Sequence, residues 1–328
     1  MAGIRQDCSK IAVTGASGFI GGQFVLYAKR QGSYVVALIR KTSDATFLEK
    51  EEIPYIRVDF SNAVELTHAL SNIEKVVHIA GPGLSDLVAG KESQEPNIYP
   101  LIKSCIQANI SRFVYLSTIK AGSPQQFSNS TFQTESFRND IYGTRKRLEE
   151  QILLDEGGKL NWIVIRAPAV YGPLDKKILP VFKMSQRKIV PILPESKCSK
   201  FSIIHTEDLS RALYSAVIRN TPSSEVLEIG NHEPVTWNTL VRALMPPTSK
   251  TITIPYSLLR VLSWILSTMG YIKGTKSGLV TDRLKDLTKY NWISDTKTAS
   301  ERIGCSPTIQ LRDGLKACLE QYIKAGAI

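Results

Sequence analysis

The stretch IAVTGASGFIGG, residues 11–22, contains the strongest local signal in the chain. An apolar run ends at Thr14, glycines follow at positions 15, 18 and 21, and a helical pattern begins directly after them. Gly15 permits a tight turn, Gly18 lets the backbone approach a pyrophosphate, and Gly21 lets the helix pack against the strand. The free N–H groups at the start of that helix favour an anion. The stretch therefore predicts a strand, a turn and a helix that together bind a dinucleotide.

Apolar, β-rich runs alternate with helical patterns through the first half of the chain, which is typical of a parallel sheet with helical crossovers. The predicted strands cover 10–15, 33–40, 54–60, 75–81, 112–118 and 161–168, and the predicted helices cover 19–31, 62–72, 97–109 and 141–156. Strands that are so continuously apolar are expected to be covered on both faces. The pattern predicts an α/β fold with a Rossmann-type, doubly wound parallel sheet.

The alternation ends after about residue 172, where proline-rich segments begin. We therefore place a dinucleotide-binding domain at 1–172 and a smaller, mainly substrate-binding lobe at 173–328. Two later runs, 201–213 and 224–230, have the pattern of short strands that rejoin the sheet. The chain is thus expected to leave the first domain and to enter it again.

The apolar segment 254–272 needs a separate interpretation. A membrane-spanning helix needs about 20 predominantly apolar residues, so this segment is too short and too polar to span a bilayer. We expect a buried helix of the second lobe. Peripheral contact with a membrane surface, or a lining for an apolar substrate pocket, is the alternative.

The composition of the chain indicates which kinds of molecule it is expected to bind. The 328 residues carry a formal charge of +11, which favours an anionic small-molecule substrate or a nucleotide. The chain lacks an arginine-rich arm, zinc-finger spacing and an RNA-binding aromatic signature, which argues against nucleic acid. Five cysteines without a C-x-x-C pair, and no signal-peptide pattern, predict a cytoplasmic protein with reduced thiols. No histidines occur at metal-ligand spacing, so no metal is expected.

The end of the second predicted strand discriminates between cofactors. Chains that bind NAD usually place an acid there to hold the ribose 2′-hydroxyl. Here the strand ends in Arg40 and Lys41, whose charges suit a 2′-phosphate. We therefore expect NADP as the preferred cofactor, with NAD as the alternative.

The stretch DIYGTRKRLEE, residues 140–150, places Tyr142 and Lys146 four residues apart. That spacing brings both side chains to one face of a helix, where an ammonium stabilises a phenolate. The other charges of this stretch are interpreted as a solvated or subunit-facing surface: Arg145, Arg147, Glu149 and Glu150.

Taken together, the motifs TGASGFIG, HIAG (78–81), LST (116–118), YGTRK (142–146) and RAPAVYGP (166–173) resemble the extended short-chain dehydrogenase/reductases, which include the NAD-dependent epimerase/dehydratase family. The resemblance covers almost the whole chain and implies a homodimer through helices that flank the Tyr–Lys segment. It implies Thr118, Tyr142 and Lys146 as catalytic residues, and Ser117, Thr118 and Tyr171 as substrate contacts. The cofactor contacts are expected at Gly15, Ser17, Gly18, Phe19, Ile20, Gly21, Arg40, Lys41, Asp59, Phe60, Ala80, Gly81, Tyr142, Lys146 and Pro168.

The same resemblance implies an NAD(P)-dependent oxidoreductase that transfers a hydride at a substrate hydroxyl or carbonyl carbon. We expect a nucleotide sugar as substrate, in an epimerase or keto-reductase reaction. The segment IKAGS after Thr118 replaces an Asp-Glu pair and argues against 4,6-dehydratase chemistry. The alternatives are an NADPH-dependent reductase of a lipid-like or steroid-like ketone, and a non-catalytic dinucleotide-binding regulator.

Overall fold

The structure is a computed structural model that describes residues 9–81, 98–122, 125–126, 141–173, 175–219, 224–261 and 284–328. The first strands are β1 Lys10–Thr14, β2 Tyr34–Arg40, β3 Tyr55–Val58, β4 Lys75–His78, β5 Arg112–Thr118, β6 Gln125–Gln126, β7 Trp162–Ala167 and β8 Ala169–Tyr171. The later strands are β9 Ile189–Ile192, β10 Lys200–Phe201, β11 Ile203–His205, β12 Glu225–Glu228, β13 Val235–Thr236, β14 Lys250–Thr253 and β15 Tyr290–Asn291.

The helices with defined bounds begin with α1 Phe19–Arg30, α2 Thr46–Lys50, α3 Ala63–Ala69, α4 Tyr99–Gln107 and α5 Ile141–Glu156. They continue with α6 Leu179–Ser185, α7 Thr206–Ile218, α8 Trp237–Leu244, α9 Thr296–Ile303 and α10 Leu311–Lys324. Single turns of 3₁₀ helix lie at Ile119–Ala121 and Glu195–Lys197.

Seven parallel strands form the central sheet in the order β12-β7-β5-β4-β1-β2-β3. From β1 the chain adds β2 and β3 towards one edge, and from β4 it adds β5, β7 and β12 towards the other edge. This is the doubly wound arrangement. The carboxyl ends of all seven strands therefore lie at one edge, where such folds bind their ligands. The predicted Rossmann-type fold is confirmed.

Helices cover both faces of this sheet because its strands are apolar on both sides. On one face, Val13 of β1 packs in a buried cluster with Phe24 of α1 and Leu213 of α7. On the other face, Ala12 of β1 belongs to a cluster that includes Ile102 of α4. Successive side chains of a strand point to opposite faces, so one five-residue strand serves both cores.

The second part of the chain forms small two-stranded sheets around a separate buried cluster that includes Tyr171, Phe182 and Tyr322. The run 201–213 returns to the sheet as a helix rather than as a strand, because α7 packs against β4, β5 and β7. Only Ile203–His205 of that run forms a strand in register with β8, outside the seven-stranded sheet, and helix α7 begins at Thr206. The physical reason is a cap: the His205 imidazole accepts the Glu207 backbone N–H at 3.2 Å and so starts the helix.

Strand β12, within the predicted run 224–230, pairs with β7 at the end of the sheet. The domain division at residue 172 stays a prediction. Of the segment 254–272, the structure describes 254–261, with a helical stretch at 256–261 and exposed Leu258 and Val261; the rest lies outside the described residues. Among the described helices, none has the length and apolar character needed to cross a bilayer.

Candidate active site

The glycine turn after β1 is packed so closely that side chains are excluded. Gly15 has a φ of +73°, and a Cβ there would lie 2.7 Å from the Ala80 backbone nitrogen. A Cβ on Gly21 would lie 2.0 Å from the Gly15 carbonyl oxygen. The turn thus brings the start of α1 against the ends of β1 and β4, as the sequence predicts.

Helix α1 presents an open amino terminus at this turn. Gly18 occupies the cap position and has no side chain to accept a hydrogen bond from the first amides. Ser17 and Gly18 are exposed, and Phe19 and Ile20 are half-buried. Free amides and the partial positive charge of the helix end suit a phosphate.

A hydrogen-bonded chain fixes the loop after β4. The Thr14 hydroxyl is bonded to His78 Nδ1 at 2.6 Å and accepts the Ala80 N–H at 3.2 Å. Gly81 is exposed directly after this contact. Ala80 and Gly81, both predicted cofactor contacts, therefore lie beside the glycine turn.

The end of β2 is basic, and it is organised by a residue that sequence patterning did not single out. Arg40 and Lys41 are exposed, and Lys41 Nζ lies 3.4 Å from Glu65. From β3, the Arg57 guanidinium donates to the carbonyl oxygens of Lys41 at 2.9 Å and Ser43 at 3.0 Å, and it lies 3.4 Å from that of Arg40. Arg57 thereby adds a third cation and holds the backbone that carries the other two.

Asp59 and Phe60 follow β3 at the same edge of the sheet. The Asp59 carboxylate accepts the Ser61 hydroxyl at 2.6 Å and its N–H at 2.9 Å. These hydrogen bonds lower the pKa of Asp59, with the hydroxyl contributing most. The carboxylate is exposed and ionised, and Phe60 is half-buried beside it.

Helix α5 carries both residues of the Tyr–Lys pair. Lys146 is only 4% exposed, and its ammonium donates to Tyr115 Oη at 3.1 Å and to the Leu116 carbonyl at 3.3 Å. The same ammonium would lie 3.1 Å from a Cβ on Gly81. Tyr142, one helical turn earlier, is half-buried. The structure thus places the Lys146 ammonium beside the loop after β4, on the helix that also carries Tyr142.

The interpretation of the neighbouring charges as solvated is wrong for three of them. Arg145, Glu149 and Glu150 are buried, and β5 and the 3₁₀ turn Ile119–Ala121 pack against α5. Glu149 Oε2 lies 3.4 Å from Lys146 Nζ and accepts the Tyr115 hydroxyl. Arg147 is half-buried and donates to the Ala121 carbonyl at 2.9 Å.

Burial controls the protonation of this cluster. Burial, with the Lys146 ammonium nearby, lowers the pKa of His78 to about 3, so its ring is neutral. Burial, followed by the Glu149 charge, raises the pKa of Tyr115 well above its usual value. Burial lowers the pKa of Lys146, and Glu149 opposes that change. Burial would raise the pKa of Glu149, but Lys146 and the hydrogen bond from Tyr115 outweigh it, and the pKa is lowered.

The two hydroxyls at the end of β5 differ in their partners. Ser117 donates to Glu150 at 2.5 Å, and Glu150 is held in turn by two hydrogen bonds from Arg166. Thr118 is buried at the carboxyl end of the strand, and its hydroxyl accepts the Lys120 N–H at 3.3 Å. This arrangement favours Thr118 over Ser117 as the hydroxyl available to a substrate.

The last two predicted contacts follow β7. Pro168 Cγ would lie 3.2 Å from a Cβ on Gly230. Tyr171 is 3% exposed, and its ring lies 5.2 Å from that of His205. Its hydroxyl would lie 2.5 Å from a Cβ on Gly314, so it packs against α10. A role for Tyr171 towards a substrate stays a prediction.

These residues gather at the carboxyl edge of the sheet. The ends of β1, β2, β3, β4, β5 and β7 carry predicted contacts, and α5 adds Tyr142 and Lys146. The described residues contain no group of His, Cys, Asp and Glu side chains that could hold a metal ion.

Comparisons with known proteins agree with this geometry. The sequence profile of the NAD dependent epimerase/dehydratase family matches residues 11–230. Ceramide reductase of Caulobacter vibrioides is 23% identical over 322 residues, which cover 96% of this chain and 95% of the relative. UDP-glucose 4-epimerase of Vibrio cholerae is 25% identical over 341 residues, which cover 98% of each.

The fold also matches solved structures. One is UDP-glucose-4-epimerase from Stenotrophomonas maltophila with bound NAD and formylated UDP-arabinopyranose. It is 16% identical, with a TM-score of 0.74 over 97% of this chain and 99% of that chain. At this level of identity the likeness concerns the fold.

Proposed function

Because the chain belongs to the NAD dependent epimerase/dehydratase family, we propose that it is an NAD(P)-dependent oxidoreductase with Tyr142 as its acid/base. The observation that carries the proposal is the position of Lys146. Its buried ammonium lies beside Gly81 of the predicted cofactor loop, on the helix that carries Tyr142 one turn earlier. The Tyr142 phenol, the Lys146 ammonium and the loop at Gly81 suit proton transfer coupled to hydride transfer.

The cradle fits a dinucleotide. The amides at the start of α1 suit a pyrophosphate, and they are held close to β1 because added Cβ atoms at Gly15 or Gly21 would meet backbone. When bound, the nicotinamide supplies or accepts the hydride. We assign the pyrophosphate to the residues from Gly15 to Gly21, the adenine side to Asp59 and Phe60, and the ribose to Ala80, Gly81 and Lys146.

The residues of this chain handle the proton. Free tyrosine has a pKa of about 10, too high for a base at neutral pH. The Lys146 ammonium stabilises the Tyr142 phenolate, so that Tyr142 can take a proton from a substrate hydroxyl or return it to a carbonyl oxygen. The Thr118 hydroxyl donates to the same oxygen and orients it.

We assign NADP as the preferred cofactor, with NAD as the alternative. Support comes from Arg40 and Lys41 at the end of β2 and from Arg57 of the adjacent β3, since a guanidinium can bind a 2′-phosphate with two hydrogen bonds. An acid that would accept from a free 2′-hydroxyl is missing at the end of β2 itself, which reads LIRKT.

We assign a nucleotide sugar as the substrate. The net charge of +11 and the similarity to UDP-glucose 4-epimerase along the whole chain support it. The second candidate is a hydrophobic ketone, reduced with NADPH. The similarity to ceramide reductase over 96% of this chain favours that candidate.

Two parallel assays separate the candidates. In one, the NAD-loaded protein is incubated with UDP-glucose and product epimers are resolved by chromatography. In the other, NADPH absorbance is followed with a panel of long-chain ketones and ketosteroids. Epimer formation supports the nucleotide-sugar assignment, and net NADPH loss supports the ketone reductase. Tight dinucleotide binding without turnover in either assay favours the regulator.

A further inference from the structure

Helix α5 buries a carboxylate that the proposed proton transfer does not use. Glu149 is 3% exposed, and its Oε2 lies 3.4 Å from Lys146 Nζ. The same oxygen accepts the hydroxyl of Tyr115, and that hydroxyl accepts a hydrogen bond from Lys146 at 3.1 Å. Lysine, phenol and carboxylate therefore form a buried triangle behind the Tyr–Lys face, and the other carboxylate oxygen, Glu149 Oε1, accepts a hydrogen bond from Arg145 Nε at 3.2 Å.

We propose that Glu149 is a positioning residue that keeps Lys146 protonated and fixed beside Tyr142. The proposal rests on the proposed function, because it gives Lys146 its importance. An ammonium taken from water into a protein interior loses its hydration and tends to release its proton. A carboxylate in contact restores the favourable charge, and the shared hydroxyl of Tyr115 fixes the direction of the ammonium.

The other groups around the pair do not duplicate this role. The titratable and charged side chains that face it from β4, β5 and α5 are His78, Tyr115, Tyr142, Arg145 and Glu150. His78 is neutral and Tyr115 is un-ionised, so neither supplies an anion. Glu150 also raises the pKa of Lys146, but less than Glu149 does, and its carboxylate is bonded to Ser117 and Arg166. Among the described residues, Glu149 is therefore the carboxylate that forms an ion pair with Lys146.

The sign of the effect follows from the charges. Tyr142 and Lys146 titrate as a coupled pair. As the pH rises, the pair releases two protons in turn. Without the Glu149 charge, the first of them is held less tightly, so the apparent pKa of this first step falls. After that first step the pair has two forms: an ammonium with a phenolate, or a neutral Lys146 with an un-ionised Tyr142. Because Glu149 is in contact with the lysine, loss of its charge favours the second form. A smaller fraction of the protein then carries the Tyr142 phenolate after the first proton is lost.

The test is Glu149→Gln, which keeps the shape and an acceptor for Tyr115 but removes the charge. Ultraviolet absorbance of phenolate is titrated in the full-length chain, and the same titration of a Tyr142→Phe partner is subtracted to isolate Tyr142. We expect the apparent pKa of Tyr142 to fall by about one unit, with a reduced amplitude. Glu156→Gln, a half-exposed carboxylate on the same helix, should leave both unchanged.

Tyr115→Phe separates charge from packing. It removes the hydroxyl in the triangle but leaves the Glu149 charge, so the apparent pKa of Tyr142 should not fall. If Glu149→Gln does not fold, Glu149→Asp replaces it, and the added distance should give a smaller shift in the same direction. An unmoved titration in Glu149→Gln, or equal shifts in Glu149→Gln and Tyr115→Phe, would overturn the proposal. This readout needs no substrate, whereas failure of the proposed function would show as undiminished turnover in Tyr142→Phe.

Discussion

Arg57 shows how a single side chain on a neighbouring strand can organise a cofactor site. Its guanidinium reaches the carbonyl oxygens of Lys41 and Ser43, which lie in the loop after β2. These contacts fix the backbone from which Arg40 projects, and they add charge where a 2′-phosphate is expected. Preference for NADP would then depend on Arg57 as well as on Arg40.

Replacement of either arginine by alanine tests this dependence. We expect Arg40→Ala and Arg57→Ala each to weaken NADPH binding about tenfold, equivalent to ~1.4 kcal/mol, while NADH binding changes little. Titration of nicotinamide fluorescence measures both affinities. Lys50→Ala, which removes an exposed cation at the end of α2, serves as the control and should change neither. NADH binding as tight as NADPH binding in the parent protein would contradict the assignment.

The strand–turn–helix element from β1 to α1 illustrates a constraint set by backbone contact. A Cβ at Gly21 would lie 2.0 Å from the Gly15 carbonyl oxygen, and backbone cannot move aside as a side chain can. The helix start would have to shift away from the strand. The phosphate-binding amides would shift with it.

Gly21→Ala should therefore abolish dinucleotide binding and lower the free energy of unfolding by roughly 1–3 kcal/mol, the usual cost of overpacking. Gly22→Ala is the matched control on the same helix. Its Cβ would meet the Phe47 ring at 3.2 Å, and this half-buried side chain can adjust. Denaturant unfolding and cofactor titration compare the two, and equal effects would argue against the backbone clash as the cause.

Some features of this fold can be predicted from local sequence and others cannot. The glycine spacing and the apolar strands are local, so the turn at Gly15 and the sheet follow from short windows. The segment KRLEE has the composition of a solvated helix, yet Glu149 is buried because Tyr115 of β5 packs behind it. The contact of Arg57 with Ser43 joins β3 to the loop after β2, which no periodicity reveals. Burial of charge depends on the tertiary neighbours.

At the scale of the whole molecule, apolar side chains are exposed on two helices that flank the sheet. Leu148 and Leu154 of α5 are 47% and 50% exposed, and Tyr99 of the adjacent α4 is 46% exposed. An isologous dimer through these helices, as the sequence resemblance implies, would cover them. It would also hold α5, and with it Tyr142 and Lys146, in place.

Leu148→Glu combined with Leu154→Glu should convert the expected homodimer to a monomer, because four carboxylates would meet at the proposed two-fold interface. Light scattering coupled to size exclusion measures the mass. Val64→Glu, at an 80% exposed site on α3, is the control and should leave the dimer intact. A parent protein that remains monomeric at high concentration would rule out this interface.

The most direct test of the central claim compares Tyr142→Phe with the parent protein for cofactor binding and turnover in the same preparation. Phenylalanine retains the ring on α5 but has no proton to exchange. We predict that the variant binds NADPH with a Kd within about threefold of the parent, while turnover with the substrate identified in the paired assays falls by roughly 10²–10⁴. Undiminished turnover in the variant would contradict the account.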